Sequence, residues 1–286
     1  MLRYLRTKSQ IRQVSSRRSS LRIALLCFLV VLGGVFAVVA PKRIAAAQGT
    51  GCDGAGVTKS VLTTLDGVAI ATFSQGPNVA QGQKQGQKQE QKQGQQDPKQ
   101  GSAGTTAIVL VHQVNQDHCG WAAEATALAK KYRVMSIDLR GYGTSQRAKG
   151  TTAFAYRNDI AAAVNSLRTN GAGKIVLVGA SMGGSAVVVA GAFINPPVDG
   201  IVAVSAPTNF KGQNAKTAAP KLRIPARFFA ASDDGGAVSS AKSLDRGAIN
   251  SPDHQAVVFA TGGHGWALLR PGSPAEATLT QFVDSL

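Results

Sequence analysis

Apolar and polar positions change rhythm along this chain, and each change marks an element. From Thr106 onward, short apolar runs alternate with longer stretches in which apolar residues return every three or four positions. The short runs are Ala107–His112, Arg133–Asp138, Lys174–Gly179, Gly200–Ser205, Ala226–Ala231 and Ala256–Ala260. They read as strands. The longer stretches, Cys119–Lys131, Phe154–Thr169, Met182–Ala192, Ala237–Ile249 and Gly272–Leu286, predict helices. Strands alternating with helices over this length mean a mostly parallel sheet covered on both faces, an α/β protein. Ahead of them, Val57–Ser74 carries two β-rich runs around Asp66-Gly67, which signals a hairpin.

Two segments break the rhythm. Residues 75–104 are built on a Gly-Gln-Lys-Gln repeat with almost no apolar residues. Such a stretch cannot offset the entropy of ordering, so it reads as a disordered insertion between two strands of one domain, 57–286. A tether to a cell wall or partner is the functional alternative. Residues 1–48 open with Arg3, Arg6, Lys8, Arg12, Arg17, Arg18 and Arg22, run through the apolar Ile23–Ala40 and end near Ala45–Ala47. A basic start, an apolar run and a small-residue site describe an export signal, and eighteen apolar residues also just suffice for a membrane anchor. Ser16–Arg22 resembles a twin-arginine signal, departing from it at Ser20. Either route predicts an extracytoplasmic body, secreted or anchored by its N-terminal segment alone.

Charge refines this picture. The net charge of +16 invites a nucleic-acid reading. Yet residues 1–50 hold nine Lys or Arg and no acid, whereas residues 104–286 hold seventeen basic and eleven acidic residues. No basic stripe interleaved with aromatics lies in the globular part, so no nucleic-acid partner is expected. Cys52 and Cys119 could pair after export, but spacing cannot set their separation. No Cys/His spacing marks a metal site, no phosphate-cradling lysine accompanies the glycines of 179–184, and no cofactor is expected.

The candidate chemistry sits where strands end. Val176–Gly184 reads as strand, Gly179-Ala180-Ser181-Met182-Gly183, then helix. That context turns a common motif into a nucleophile elbow: a serine at the apex of a tight turn, with a helix N-terminus behind it. Asp233 and Asp234 follow Ala226–Ala231, and His264 follows Ala256–Ala260. A serine hydroxyl needs a base, and the base needs an acid to orient it. Ser181, Asp234 and His264 take these roles, with Asp233 the competing acid. The backbone N–H groups of Gln113 and Met182 would bind an oxyanion. His112, His118 and His254 read as structural or exposed, and Lys211, Lys216 and Lys221 as a solvated loop.

With these motifs in view, residues 57–286 outside the insertion resemble the α/β-hydrolase family, in particular its small dienelactone-hydrolase-like and esterase-like bacterial members. The resemblance rests on Val109–Gln113, Asp138–Ser145, Gly179–Gly184, Ala231–Asp234 and Gly263–Gly265. It implies the α/β-hydrolase fold, the same triad and oxyanion donors, and hydrolysis of a small-molecule ester or related acyl bond through an acyl-enzyme. The family often has His-Gly where this chain has His112-Gln113. Ala206–Ile224 is too short for a cap domain, so an open site is expected. A peptidase or thioesterase would use the same triad, and a non-catalytic surface protein could keep the fold. Asp138–Ser145 is expected to be structural, with Arg140 pairing locally.

Overall fold

A computed structural model describes residues 52–54, 56–77 and 105–286. The N-terminal basic and apolar segment and nearly all of the Gln-rich insertion lie outside these residues. The chain begins its sheet with the antiparallel strands β1 (Thr58–Thr63) and β2 (Ala69–Gln75). The turn between them holds Asp66-Gly67, with Gly67 at φ +79°, so the hairpin signal lands where it was read. Six further strands follow: β3 (Thr106–Val111), β4 (Arg133–Ile137), β5 (Lys174–Ala180), β6 (Gly200–Val204), β7 (Ala226–Ala231) and β8 (His254–Phe259). The sheet runs β1-β2-β4-β3-β5-β6-β7-β8, with β3 to β8 parallel and β2 antiparallel to β4.

The strands alternate their side chains between two cores. Ala107, Val109 and Val111 of β3 face one layer, and Ile108 and Leu110 face the other. The first layer is closed by α2 (Tyr156–Thr169), α3 (Met182–Phe193), the short α4 (Ala215–Ala218) and α5 (Ala237–Gly247). The second is closed by α1 (Ala122–Leu128) and α6 (Pro274–Ser285). The expected helix at Cys119–Lys131 is shorter than its pattern. Asp117 accepts a hydrogen bond from the Cys119 N–H and starts a 3-10 turn at His118–Trp121 before α1 begins. The strand expected at Ala256 starts two residues earlier, so His254 lies in β8, half-buried, with Nδ1 2.7 Å from Asp245 Oδ1.

Arg140 is structural, as its motif implied, but its pairing is not local. Its buried guanidinium donates to Asp66 of the hairpin (2.6 and 3.0 Å), to Asp159 of α2 (2.8 Å) and to the Thr152 carbonyl (2.9 Å). The cation holds the Asp66 carboxyl well below the usual carboxylate range. Burial pushes Asp159 the other way, up to about 6. One buried cation thus fastens the hairpin and α2 to the loop after β4.

Glu124 of α1 is buried, and its Oε2 has no partner. Burial, with Glu276 nearby, raises its pKa to about 7. The folded chain therefore holds this proton longer than the unfolded chain does, and stability falls as pH rises from about 4.5 to about 7. Glu124→Gln is expected to stabilise the fold above pH 7 by about 1–2 kcal/mol, less than full linkage because water screens the carboxylate. The gain should vanish near pH 4, as urea unfolding at the two pH values would show.

Candidate active site

Ser181 is built by its neighbours. It follows β5 directly and sits at φ +49°, ψ −111°, outside ordinary strand or helix geometry. The glycines on either side make that turn possible. A Cβ at Gly179 would run into the Gly183 carbonyl, and one at Gly183 into the carbonyls of Val111 and His112. The elbow therefore presses against the end of β3, which brings Gln113 beside the N-terminus of α3. Among the hydrogen bonds of the described residues, neither the Gln113 N–H nor the Met182 N–H donates to a protein acceptor.

His264 and Asp234 meet across two loops. His264 Nδ1 lies 2.8 Å from Asp234 Oδ1 and 3.0 Å from Oδ2. An ionised carboxylate only accepts, so Nδ1 carries the proton and Nε2 is left as the basic nitrogen. Asp233 turns elsewhere, accepting from the N–H groups of Gly263 (3.1 Å) and Gly262 (3.3 Å). Those two bonds hold its carboxyl below the usual range. The two aspartates thus divide the work: one faces the imidazole and the other shapes the loop that carries it. The His264 side chain is 50% exposed and Asp234 12%, which describes an open site. Among the described residues' hydrogen bonds there is none between Ser181 Oγ and His264, a contact that in such sites often tightens only in the complex with substrate.

Ser205, which sequence reasoning passed over, and the side chain of Gln113, singled out there for its N–H, complete the support. Ser205, at φ +50°, closes β6, and its Oγ accepts from the Gly265 N–H (3.0 Å), anchoring the histidine loop. Gln113 places its amide oxygen against Gly265, where a Cβ would overlap it. That side chain reaches the histidine loop, and its Oε1 is buried without a partner. His112 is a buried structural residue: Nδ1 donates to the Gln113 carbonyl (2.7 Å) and Nε2 accepts from the Leu139 N–H (3.0 Å). Burial lowers its pKa, which suits this neutral tautomer.

A recess of about 690 Å³ opens beside the elbow, lined in part by Asn115, Tyr142, Arg147, Phe154 and Lys211. The Tyr142 hydroxyl lies 3.6 Å from the Met182 sulfur and so joins this recess to α3. Ser181 and His264 stand outside its lining. Lys211, read as part of a solvated loop, is indeed exposed and outside the helices and strands. It occupies a tight turn at φ +44°, next to Gly212 at φ +77°, and donates to the Tyr142 hydroxyl at 3.0 Å. Among the described residues, the non-glycine positions with positive φ are Asn115, Ser181, Ser205 and Lys211. Ser181 is the elbow, Ser205 braces the His264 loop, and the other two line the recess. Strained backbone of this kind gathers where a protein works.

The strand order, the elbow on β5 and the acid and histidine after β7 and β8 form one arrangement. This is the α/β-hydrolase fold. A family model for that fold matches residues 106–222, a stretch that carries Ser181 but stops before Asp234 and His264. The chain is 32% identical over 84 residues to 3-oxoadipate enol-lactonase 1 of Acinetobacter baylyi, a match covering 29% of this chain and 30% of that protein. The α/β-hydrolase architecture recurs in the Pyrococcus furiosus esterase, at TM-score 0.60 and 16% identity over 87% of this chain and 98% of that one. It recurs also in the enol-lactonase of Burkholderia xenovorans, at TM-score 0.55 and 14% identity over 79% and 98% of the two chains. Among the described residues, no helix is long and apolar enough to cross a membrane.

Proposed function

We propose that this chain hydrolyses carboxylic esters or lactones through an acyl-enzyme on Ser181. The observation that carries the reading is the paired contact of His264 Nδ1 with Asp234, at 2.8 and 3.0 Å, on the loops beside the elbow. With its proton on Nδ1, the imidazole offers Nε2 to the Ser181 hydroxyl. As Oγ attacks the acyl carbon, Nε2 takes its proton and Asp234 stabilises the imidazolium. The carbonyl oxygen gains negative charge and receives the N–H groups of Gln113 and Met182, each such donor lowering the barrier by about 3–4 kcal/mol. The imidazolium then gives its proton to the leaving alkoxide. Water enters and attacks the acyl carbon as His264 takes its proton. The acyl–Oγ bond breaks, the imidazolium returns that proton to Ser181 Oγ, and the acyl group leaves as a carboxylic acid that ionises in water.

The recess beside the elbow is the place for the larger substituent, and the lactonase relatives favour extending the substrate class from open esters to cyclic ones. No cofactor enters any step. The basic and apolar N-terminal segment supports export, with the hydrolase body beyond the membrane.

A fluorophosphonate tests the chemistry, because it phosphonylates only a serine activated by a working base. The protein is expected to take one label per chain. His264→Ala should label at least about 100-fold more slowly, the usual scale of general-base assistance. A folded protein that takes no label overturns the reading.

A further inference from the structure

Outside the Ser181 constellation, four residues converge that the sequence scatters: Cys52, Asp53, His118 and Cys119. Cys52 and Cys119 are joined by a disulfide, with Cα atoms 5.5 Å apart. His118 is buried and held from two sides. Its ring stacks on Phe73 of β2, and its backbone N–H and Nδ1 both lie 2.9 Å from Asp138 Oδ1. Asp138 is fully buried. Its carboxylate accepts the Nδ1 proton and so aims the other ring nitrogen at the sulfurs. Around Nε2 lie Cys52 Sγ at 3.6 Å, Cys119 Sγ at 3.6 Å and Asp53 Oδ1 at 3.1 Å. Lys59 pairs with the other oxygen of Asp53.

These spacings are the edges of a metal tetrahedron. Zinc binds imidazole nitrogen at about 2.0–2.1 Å and thiolate at about 2.3 Å, which at the tetrahedral angle puts nitrogen and sulfur about 3.6 Å apart. The same arithmetic gives about 3.4 Å between nitrogen and a carboxylate oxygen and about 3.8 Å between two sulfurs. Both nitrogen–sulfur edges are already in place, and the nitrogen–oxygen edge is close. The sulfurs must part and the Asp53 carboxylate must swing toward them, because the ligand atoms that already lie within 4.8 Å of one another are those of Cys52, His118 and Cys119. Both cysteines are half-buried and within reach of a small reductant. A histidine whose far nitrogen is fixed by a carboxylate is the usual support of a zinc ligand.

We propose that, once the Cys52–Cys119 bond is reduced, Cys52, Cys119 and His118 bind a zinc ion with Asp53 as the fourth ligand. A dithiol reductant supplies two electrons and two protons. The disulfide becomes two thiols and the reductant leaves as its own disulfide. Zinc then displaces the two thiol protons to solvent. Two thiolates and one carboxylate against a divalent ion leave one negative charge, which Lys59 offsets. The disulfide and the metal are alternative clasps of the same two segments, one for an oxidising compartment and one for a reducing compartment. The spacing of the sequence conceals this site because Cys52 lies 66 residues from His118.

The test uses the full chain with Cys27→Ser, reduced by a phosphine, loaded with zinc and passed through a desalting column. One zinc per chain is expected to remain, and cobalt in its place should give a thiolate-to-metal charge-transfer band. The oxidised protein should retain none. His118→Ala and Cys52→Ser should each weaken zinc binding at least about 100-fold, and Asp138→Asn about 10–100-fold. Far-UV circular dichroism checks each variant. If His118→Ala does not fold, Cys52→Ser decides, because Cys52 lies outside the strands and helices. Zinc held no more tightly by the reduced protein than by folded Cys52→Ser overturns the proposal.

Discussion

Ser181→Ala is expected to lower kcat/KM for a carboxylic ester by about 10⁶-fold, the loss seen when a serine hydrolase is deprived of its nucleophile. The size follows from the site. Without Oγ there is no acyl-enzyme, and His264 can only assist a water that the elbow does not position. The proposed oxyanion donors, the N–H groups of Gln113 and Met182, survive the substitution, so catalysis about 10³–10⁴-fold over water is expected to persist. The small, buried Ser181 tolerates alanine sterically, although its φ of +49° is already strained for any side chain. The variant should therefore unfold at nearly the same denaturant concentration as the parent. A variant retaining more than a tenth of parental activity would mean that the observed hydrolysis arises elsewhere.

The second large effect separates two adjacent carboxylates. Asp234→Asn is expected to cost about 10⁴-fold in kcat, because an amide facing Nδ1 can donate to it and stabilise the wrong tautomer of His264. The same change at Asp233 keeps one of the two oxygens that accept from Gly262 and Gly263 and does not touch the imidazole, so its cost should stay within about tenfold. The pair controls itself: both variants remove one charge from one loop, and only one of them touches the imidazole. Equal losses would show that the loop, not the hydrogen bond to His264, is what matters. The comparison needs only steady-state rates on an activated ester.

The parallel sheet was legible because its strands are buried on both faces and so read as unbroken apolar runs. The elbow was legible because glycine on both sides of Ser181 is a requirement of backbone contact, and the structure supplies that contact at Val111 and Gly183. The acid–histidine pair was legible as an order of strand ends, without the distances. What stayed hidden depends on partners far apart in the chain. Arg140 looked locally paired, yet it reaches Asp66 in the hairpin, 74 residues away. His118 read as structural or exposed and does begin the turn ahead of α1, but nothing near it in sequence discloses Asp53, Asp138 or the disulfide. Lys211 sits in a turn position that favours glycine or asparagine, and only backbone geometry reveals it. Ser205 carried a faint signal, a small polar residue closing a buried strand beside the elbow.

The placement of β2 and β3 bears on how this protein can be handled. Gln75, the last residue of β2, pairs with Val134, and Thr106, the first of β3, pairs with Lys174, whereas Ser181 follows the opposite end of β5. Both ends of the Gln-rich segment therefore leave the sheet at the pole away from the chemistry. Their strands are separated by β4 alone, about 10 Å at ordinary strand spacing. A linker of about five residues could close that gap. The segment is thus a splice site: a fluorescent domain, an affinity tag or a surface anchor inserted there would leave the Ser181 end of the sheet clear, and new chain termini opened there would display the domain with that end facing outward.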